Sequence, residues 1–135
     1  MSFIIDFLKA VGGICRTEPL DPAAWDVRDS KIFIALKDAP ALQTPGGAVR
    51  LDGKGLPRSV LVVNRPADGY VCVENRCTHM GRKLDPEPDG QTLRCCSVNH
   101  STFDYQGNKL TGPAKGSVRI YRHEEKEGNL IIDIA

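Results

Sequence analysis

The sequence predicts an antiparallel all-β domain with one short helix at its amino terminus. From Lys31 onward the apolar residues fall in short β-like runs. Glycine, proline, asparagine and aspartate punctuate the gaps between those runs, and no second stretch keeps a helical period. At 135 residues the chain is large enough to bury one core without disulfides, so a single folded unit is expected.

The first segment, MSFIIDFLKAVGG, places Phe3, Ile4, Phe7, Leu8 and Val11 on one helical face and ends at Gly12-Gly13. Asp6 and Lys9 interrupt it, and it is shorter than the roughly 20 residues of a spanning helix, so it reads as amphipathic. Its apolar face either packs on its own domain or docks on a partner subunit or membrane surface. With no basic n-region and no cleavage pattern, the chain is expected in the cytoplasm, or at a membrane periphery through a complex. Pro19 and Pro22 argue against regular structure in an arm over residues 15–30, which gives a division into 1–30 (helix and arm) and 31–135 (β-domain).

Eight strands are expected in the β-domain: KIFIAL (31–36), AVRL (48–51), SVLVV (59–63), YVCVE (70–74), QTLRC (91–95), STFDY (101–105), SVRIYR (117–122) and NLIIDI (129–134). The turn stretches TPGG, DGKGLP, RPADG, PEPDG, YQGN and KEGN separate most of them. A net charge of +1 supplies no field for nucleic acid or an acidic membrane.

The chemistry concentrates in CTHMGRKLDPEPDGQTLRCCSVNHSTFD, residues 77–104, which holds three of the five cysteines and two of the three histidines. An odd cysteine count with thiols beside imidazoles suits metal ligation better than a disulfide framework, and a reducing compartment is the simpler setting. Cys77 and His79 follow one expected strand; Cys95, Cys96 and His100 follow another. Two loops therefore offer thiolates and imidazoles at their tips. Read on ligand type alone, two cysteines and two histidines also describe a structural zinc site, and a non-redox zinc-binding module is the alternative function.

The order C-x-H, a gap, then Cys and His resembles the Rieske family, whose pattern is C-x-H, roughly 15 to 17 residues, then C-x-x-H. CTHMG is similar to that family's C-T-H-x-G, STFD to its S-x-F-D, and Gly112-Pro113-Ala114 to its Gly-Pro-Ala. The resemblance runs from about residue 31 to 134. It implies a Rieske-like β-sandwich with two cluster-binding loops and a [2Fe-2S] cluster, one iron held by two thiolates and the other by two imidazoles. The implied ligands are Cys77, His79, Cys95 and His100, with Cys96 as the alternative to Cys95. Neutral imidazoles in place of thiolates raise the potential to about −150 to +300 mV, against roughly −400 mV for plant-type ferredoxins. By the same analogy, the outer ring nitrogens titrate with redox state and give electrons an exit.

The chain departs from that pattern in its second loop. His100 lies four residues beyond Cys96 and five beyond Cys95, so neither pair has the family's spacing of three. Cys95 shares a strand face with Leu93, in the family's apolar-x-Cys approach; Cys96 is nearer the expected spacing. Asn99 occupies the histidine slot of the ungapped register, but an amide is a poor ligand for iron in a thiolate cluster. Arg82 stands where quinol-oxidising members carry a disulfide cysteine, and Phe103 where they carry a tyrosine that donates to cluster sulfur. Ser101 or Thr102 remains as a hydroxyl donor, with Tyr105 as a substitute for the tyrosine. Fewer donors to sulfur imply a lower potential.

Electron transfer through the cluster is the expected function, as a small ferredoxin-like carrier or as the electron-transfer subunit of a larger redox complex that docks through the amino-terminal helix. The expected partners are a donor and an acceptor protein. An oxygenase needs a further mononuclear iron site with two histidines and a carboxylate, and after His79 and His100 only His123 is left. Cys15 and Cys72 read as ordinary residues, and His123 as a solvated hairpin residue.

Overall fold

The computed structural model describes residues 17–66, 69–76, 83–87, 91–96, 101–111 and 116–135. The described residues form two antiparallel sheets, as expected of a Rieske-like β-sandwich. The strands are β1 (Trp25–Arg28), β2 (Lys31–Ala35), β3 (Ala48–Leu51), β4 (Val60–Arg65), β5 (Gly69–Glu74), β6 (Leu84–Pro86), β7 (Thr92–Cys95), β8 (Thr102–Asp104), β9 (Lys109–Thr111), β10 (Ile120–Lys126) and β11 (Asn129–Asp133). Seven of them make a large sheet in the order β1-β2-β11-β10-β5-β4-β3, and four make a small sheet in the order β6-β7-β8-β9. Short 3-10 turns at Pro22–Ala24 and Leu36–Asp38 and one helical turn at Pro40–Gln43 complete the described elements.

Strand β4 explains how the sheets are joined. Its run Val60-Leu61-Val62-Val63 is buried throughout, without the alternation of a half-exposed strand, because both of its faces are covered. Val60 and Val62 face one apolar core with Trp25, Ile32, Ile34, Leu51, Cys72, Leu130 and Ile132. Leu61 and Val63 face a second core with Val73, Leu84, Leu93, Cys95, Phe103, Tyr105 and Val118. The period of two along the strand thus assigns alternate residues to the base and to the small sheet.

Residues 17–30 are more regular than Pro19 and Pro22 suggest. The two prolines sit where they cost no ladder bond: Pro19 in an isolated parallel bridge to Arg50, and Pro22 at the start of a 3-10 turn whose N-cap, Asp21, accepts from the Ala23 N–H at 2.9 Å. Between and after them, Leu20, Ala24 and Trp25 enter the base core, and β1 pairs with β2 around the turn Asp29-Ser30. The expected boundary at residue 30 falls inside that hairpin. The amino-terminal helix expected over residues 1–13 lies outside the described residues.

Strand β10 begins at Ile120 and continues to Lys126, where the sequence places it at 117–122. The Val118 N–H donates to the Gly107 carbonyl (2.8 Å), which turns Val118 into the second core instead of extending the strand backwards. Gly107 has φ +91°, and a Cβ there would lie 2.3 Å from the Val118 carbonyl oxygen. Gly107→Ala is therefore expected to destabilise the fold by about 2–4 kcal/mol, combining backbone strain with a backbone clash. Urea unfolding measures this; a loss below about 0.5 kcal/mol would show that the 104–108 turn relaxes freely.

Candidate metal centre

Both predicted ligand loops meet the same end of the small sheet, the first entering it at β6 from β5 of the large sheet and the second leaving it after β7. Leu84 pairs with Cys95 across β6 and β7, and the Cys96 N–H donates to the Lys83 carbonyl at 2.8 Å. The Cys95 N–H donates to the Ser101 carbonyl at 2.8 Å, closing the second loop at its base. The first loop is closed by a side chain: Asn75 Oδ1 accepts from the Leu84 N–H at 2.7 Å. Positions 75, 84, 95–96 and 101 are thereby stitched together. Cys77 lies two residues beyond one stitch and His100 one residue before another, within the reach of about 3.3–3.6 Å per residue of extended chain. Cys77, His79 and His100 themselves lie outside the described residues, as do Arg82 and Gly112-Pro113-Ala114.

The two adjacent cysteines differ in their surroundings. Cys95 is 1% exposed and packs with Leu84, Leu93 and Phe103 in the second core. Cys96 is equally buried but belongs to neither apolar core. Cys72 is remote from this chemistry: it faces the base core opposite Val62, and burial pushes its thiol up to about 12, so it stays protonated and inert. His123 is exposed on β10.

The hydroxyl candidates also separate. The Thr102 hydroxyl hydrogen-bonds that of Thr111 at 2.6 Å, while Ser101, 1% exposed, sits at the exit of the second loop. Phe103 is fully buried in the second core, and Tyr105 follows β8 at the end away from the loops, under the Arg65 guanidinium at 4.2 Å from its ring centroid. Four residues of extended chain, roughly 13 Å, separate Tyr105 from Ser101. Asp104, the last residue of S-T-F-D, organises the following turn: its Oδ1 accepts from the Gln106 and Asn108 N–H groups, both at 2.9 Å. Although desolvation opposes ionisation, these bonds hold its carboxyl below the usual range.

Sequence reading missed a second polar group at the site. Asp85, on β6, is completely buried, and its Oδ1 accepts from the Thr17 N–H at 3.0 Å and the Thr17 hydroxyl at 2.6 Å. Arg94, opposite it on β7, lies 3.7 Å from Asp85 Oδ2 and 2.7 Å from Glu87 Oε1. The Thr17 carbonyl accepts from Arg50 Nη1 at 2.7 Å. This network runs from the edge of the large sheet to the residue preceding Cys95.

The sequence matches the Rieske [2Fe-2S] domain family over residues 36–122. The chain belongs to that family. Its cofactor is accordingly a Rieske-type [2Fe-2S] cluster, and its chemistry is electron transfer. No curated protein sequence matches this Rieske chain. Among solved structures, the plasma-membrane Rieske protein of the cyanobacterium Synechocystis PCC 6803 superposes with a TM-score of 0.51 and 24% identity, covering 62% of this chain and 84% of that one. The ferredoxin of carbazole 1,9a-dioxygenase from Nocardioides aromaticivorans IC177 gives 0.56 and 23%, covering 68% and 88%. A quaternary ammonium Rieske monooxygenase bound to L-carnitine gives 0.57 and 14%, but 83% of this chain corresponds to only 32% of that one. These likenesses establish a shared Rieske fold. Among the described residues no helix is long and apolar enough to cross a membrane.

Proposed function

We propose that this Rieske protein is a small ferredoxin-like electron carrier, with Cys77, His79, Cys96 and His100 as the ligands of its cluster. The observation that carries the reading is the extent of the fold match to a carrier: the likeness spans 88% of a ferredoxin and 32% of a monooxygenase. When bound, the cluster accepts and releases one electron at a potential raised by its imidazole ligands. The chain's own residues hold the loop ends together through Asn75, the Leu84–Cys95 pairing and Ser101, and shield them with the second core. Cys96 is preferred to Cys95 because Cys95 is taken up in the second core with Leu93 and Phe103, and the next side chain along the chain leaves on the other side. Donor and acceptor are separate redox proteins, and a cytoplasmic location suits such a carrier. Service as a subunit of a larger complex is the second reading, favoured by the apolar face of Phe3, Ile4, Phe7, Leu8 and Val11.

Voltammetry separates the two. With Phe103 buried, Tyr105 at the far end of the small sheet and Arg82 in place of a cysteine, the midpoint at pH 7 is expected in the lower part of the Rieske range of about −150 to +300 mV. A midpoint near the top of that range would refute the carrier reading and favour a quinol-linked subunit. A colourless protein with one zinc and no labile sulfide would replace both with the zinc-binding module.

A further inference from the structure

We infer that Asn75 is the positioning residue of the first ligand loop, standing in for a strand that the small sheet lacks at β6. Among the described strands β6 is the edge of its sheet, paired with β7. The Lys83 carbonyl is used by the Cys96 N–H, on the β7 side. The Leu84 N–H takes the Asn75 side chain as its acceptor instead of a neighbouring strand. Leu84 is fully buried, so without that acceptor its N–H is a buried orphan donor.

An amide is suited to the position because its two ends do different work. Oδ1 accepts from Leu84, while Nδ2 donates to the Ser59 hydroxyl at 3.2 Å and the Asn75 main-chain N–H donates to the Ser59 carbonyl at 2.8 Å. The opposed partners fix which way the amide points. Ser59 in turn hydrogen-bonds Asp52, a residue of the large-sheet side that follows β3. Asn75 is 4% exposed, so water does not compete for these bonds. The segment from Arg76 to Lys83, with Cys77 and His79 inside it, therefore begins and ends at one clamp referenced to the large sheet. Its role is to hold that loop in one geometry through loss and gain of an electron.

The inference rests on Cys77 and His79 as first-loop ligands, an assignment that fails separately if Cys77→Ser keeps a wild-type cluster. The test uses holoprotein variants read by EPR, midpoint potential, cluster loss to a chelator, and hydrogen exchange at the Leu84 amide of the apoprotein. Asn75→Ala is expected to lose its cluster about tenfold faster or more, with broadened EPR lines and an unprotected Leu84 amide. Asn75→Asp keeps an acceptor of the same shape and is expected to stay within about threefold of the wild-type loss rate, with Leu84 protected and a lower midpoint from the added negative charge. A role confined to fold stability would lower unfolding resistance without moving g-values or midpoint. Wild-type loss rate and spectrum in Asn75→Ala, or an Asn75→Asp variant as labile as Asn75→Ala, would overturn the proposal. If Asn75→Ala does not fold, Ser59→Ala carries the test, since it keeps Asn75 but removes the hydroxyl that orients its amide. Broadened lines and faster loss support the proposal, and sharp, wild-type lines with unchanged loss overturn it.

Discussion

Cys96→Ser is expected to abolish cluster assembly, reducing iron from about two atoms per chain to a trace, while Cys95→Ser retains the cluster. The contrast follows from what surrounds each sulfur. On β7 the side chains alternate, and Leu93 and Cys95 share the face that meets Leu84 and Phe103. A thiol there behaves as a small hydrophobe, and its replacement by serine places a hydroxyl in an apolar core at a cost of about 1–3 kcal/mol, with no ligand lost. Cys96 is just as buried but follows Cys95 along the chain, so its side chain leaves on the other side and it is not grouped with Leu93 and Phe103 in the second core. Serine at that position offers an alkoxide of much higher pKa in place of a thiolate, so the iron loses one of its two soft ligands. Iron and labile-sulfide analysis with EPR of both variants decides the matter. Loss of the cluster in Cys95→Ser with retention in Cys96→Ser would return the role to Cys95, the residue favoured by its shared face with Leu93. Retention in both would make the cysteines interchangeable.

The sequence made the large features of the fold legible and left the small polar ones obscure, for a physical reason. Each of the eight expected strands has its counterpart, because runs such as Val60–Val63 and Leu130–Ile132 carry enough apolar surface to declare themselves. Strands β1, β6 and β9 went unread: they are three or four residues long, and β6 and β9 each carry a single large apolar residue beside a charged one. The charged run RHEEK hid the true extent of β10, since an exposed strand has no hydrophobic period to show. At the site, residue types and order were legible as a pattern, and so was the association of Cys95 with Leu93. The clamp at Asn75 and the Thr17–Asp85 contact were not, because each is a single polar residue whose partner is fixed only by tertiary structure, in the second case 68 positions away.

The second large effect is expected at Asp85. Asp85→Ala should destabilise the protein by about 3–5 kcal/mol, the range for breaking a buried ionic group by removing one partner. The side chain is completely buried, and its Oδ1 receives both the N–H and the hydroxyl of Thr17. Hydrogen bonds to a charged acceptor contribute about 1.5–3 kcal/mol each, so the Thr17 contacts alone account for most of the effect. Arg94 adds less: it lies 3.7 Å from Asp85 but 2.7 Å from Glu87, which still neutralises it when Asp85 is gone. The two Thr17 bonds therefore carry most of the loss and the ion pair the smaller share. Thr17→Val, which deletes the hydroxyl and keeps the main-chain N–H, should cost about 1.5–3 kcal/mol, and Arg94→Met a comparable amount because it removes the cation beside both carboxylates. The location of the network adds a second readout. Thr17 is held to β3 through Arg50 and to β6 through Asp85, so cutting the Asp85 link should free residues 17–20 from the small sheet while the parallel bridge of Pro19 to Arg50 remains. Hydrogen exchange would show the Thr17 amide deprotected in Asp85→Ala and the Leu20 amide, which donates to the Arg50 carbonyl, still protected. A loss of less than about 1 kcal/mol in urea unfolding, with the Thr17 amide as slow to exchange as in the wild type, would mean that the buried carboxylate contributes nothing net and that the segment is held by the large sheet alone.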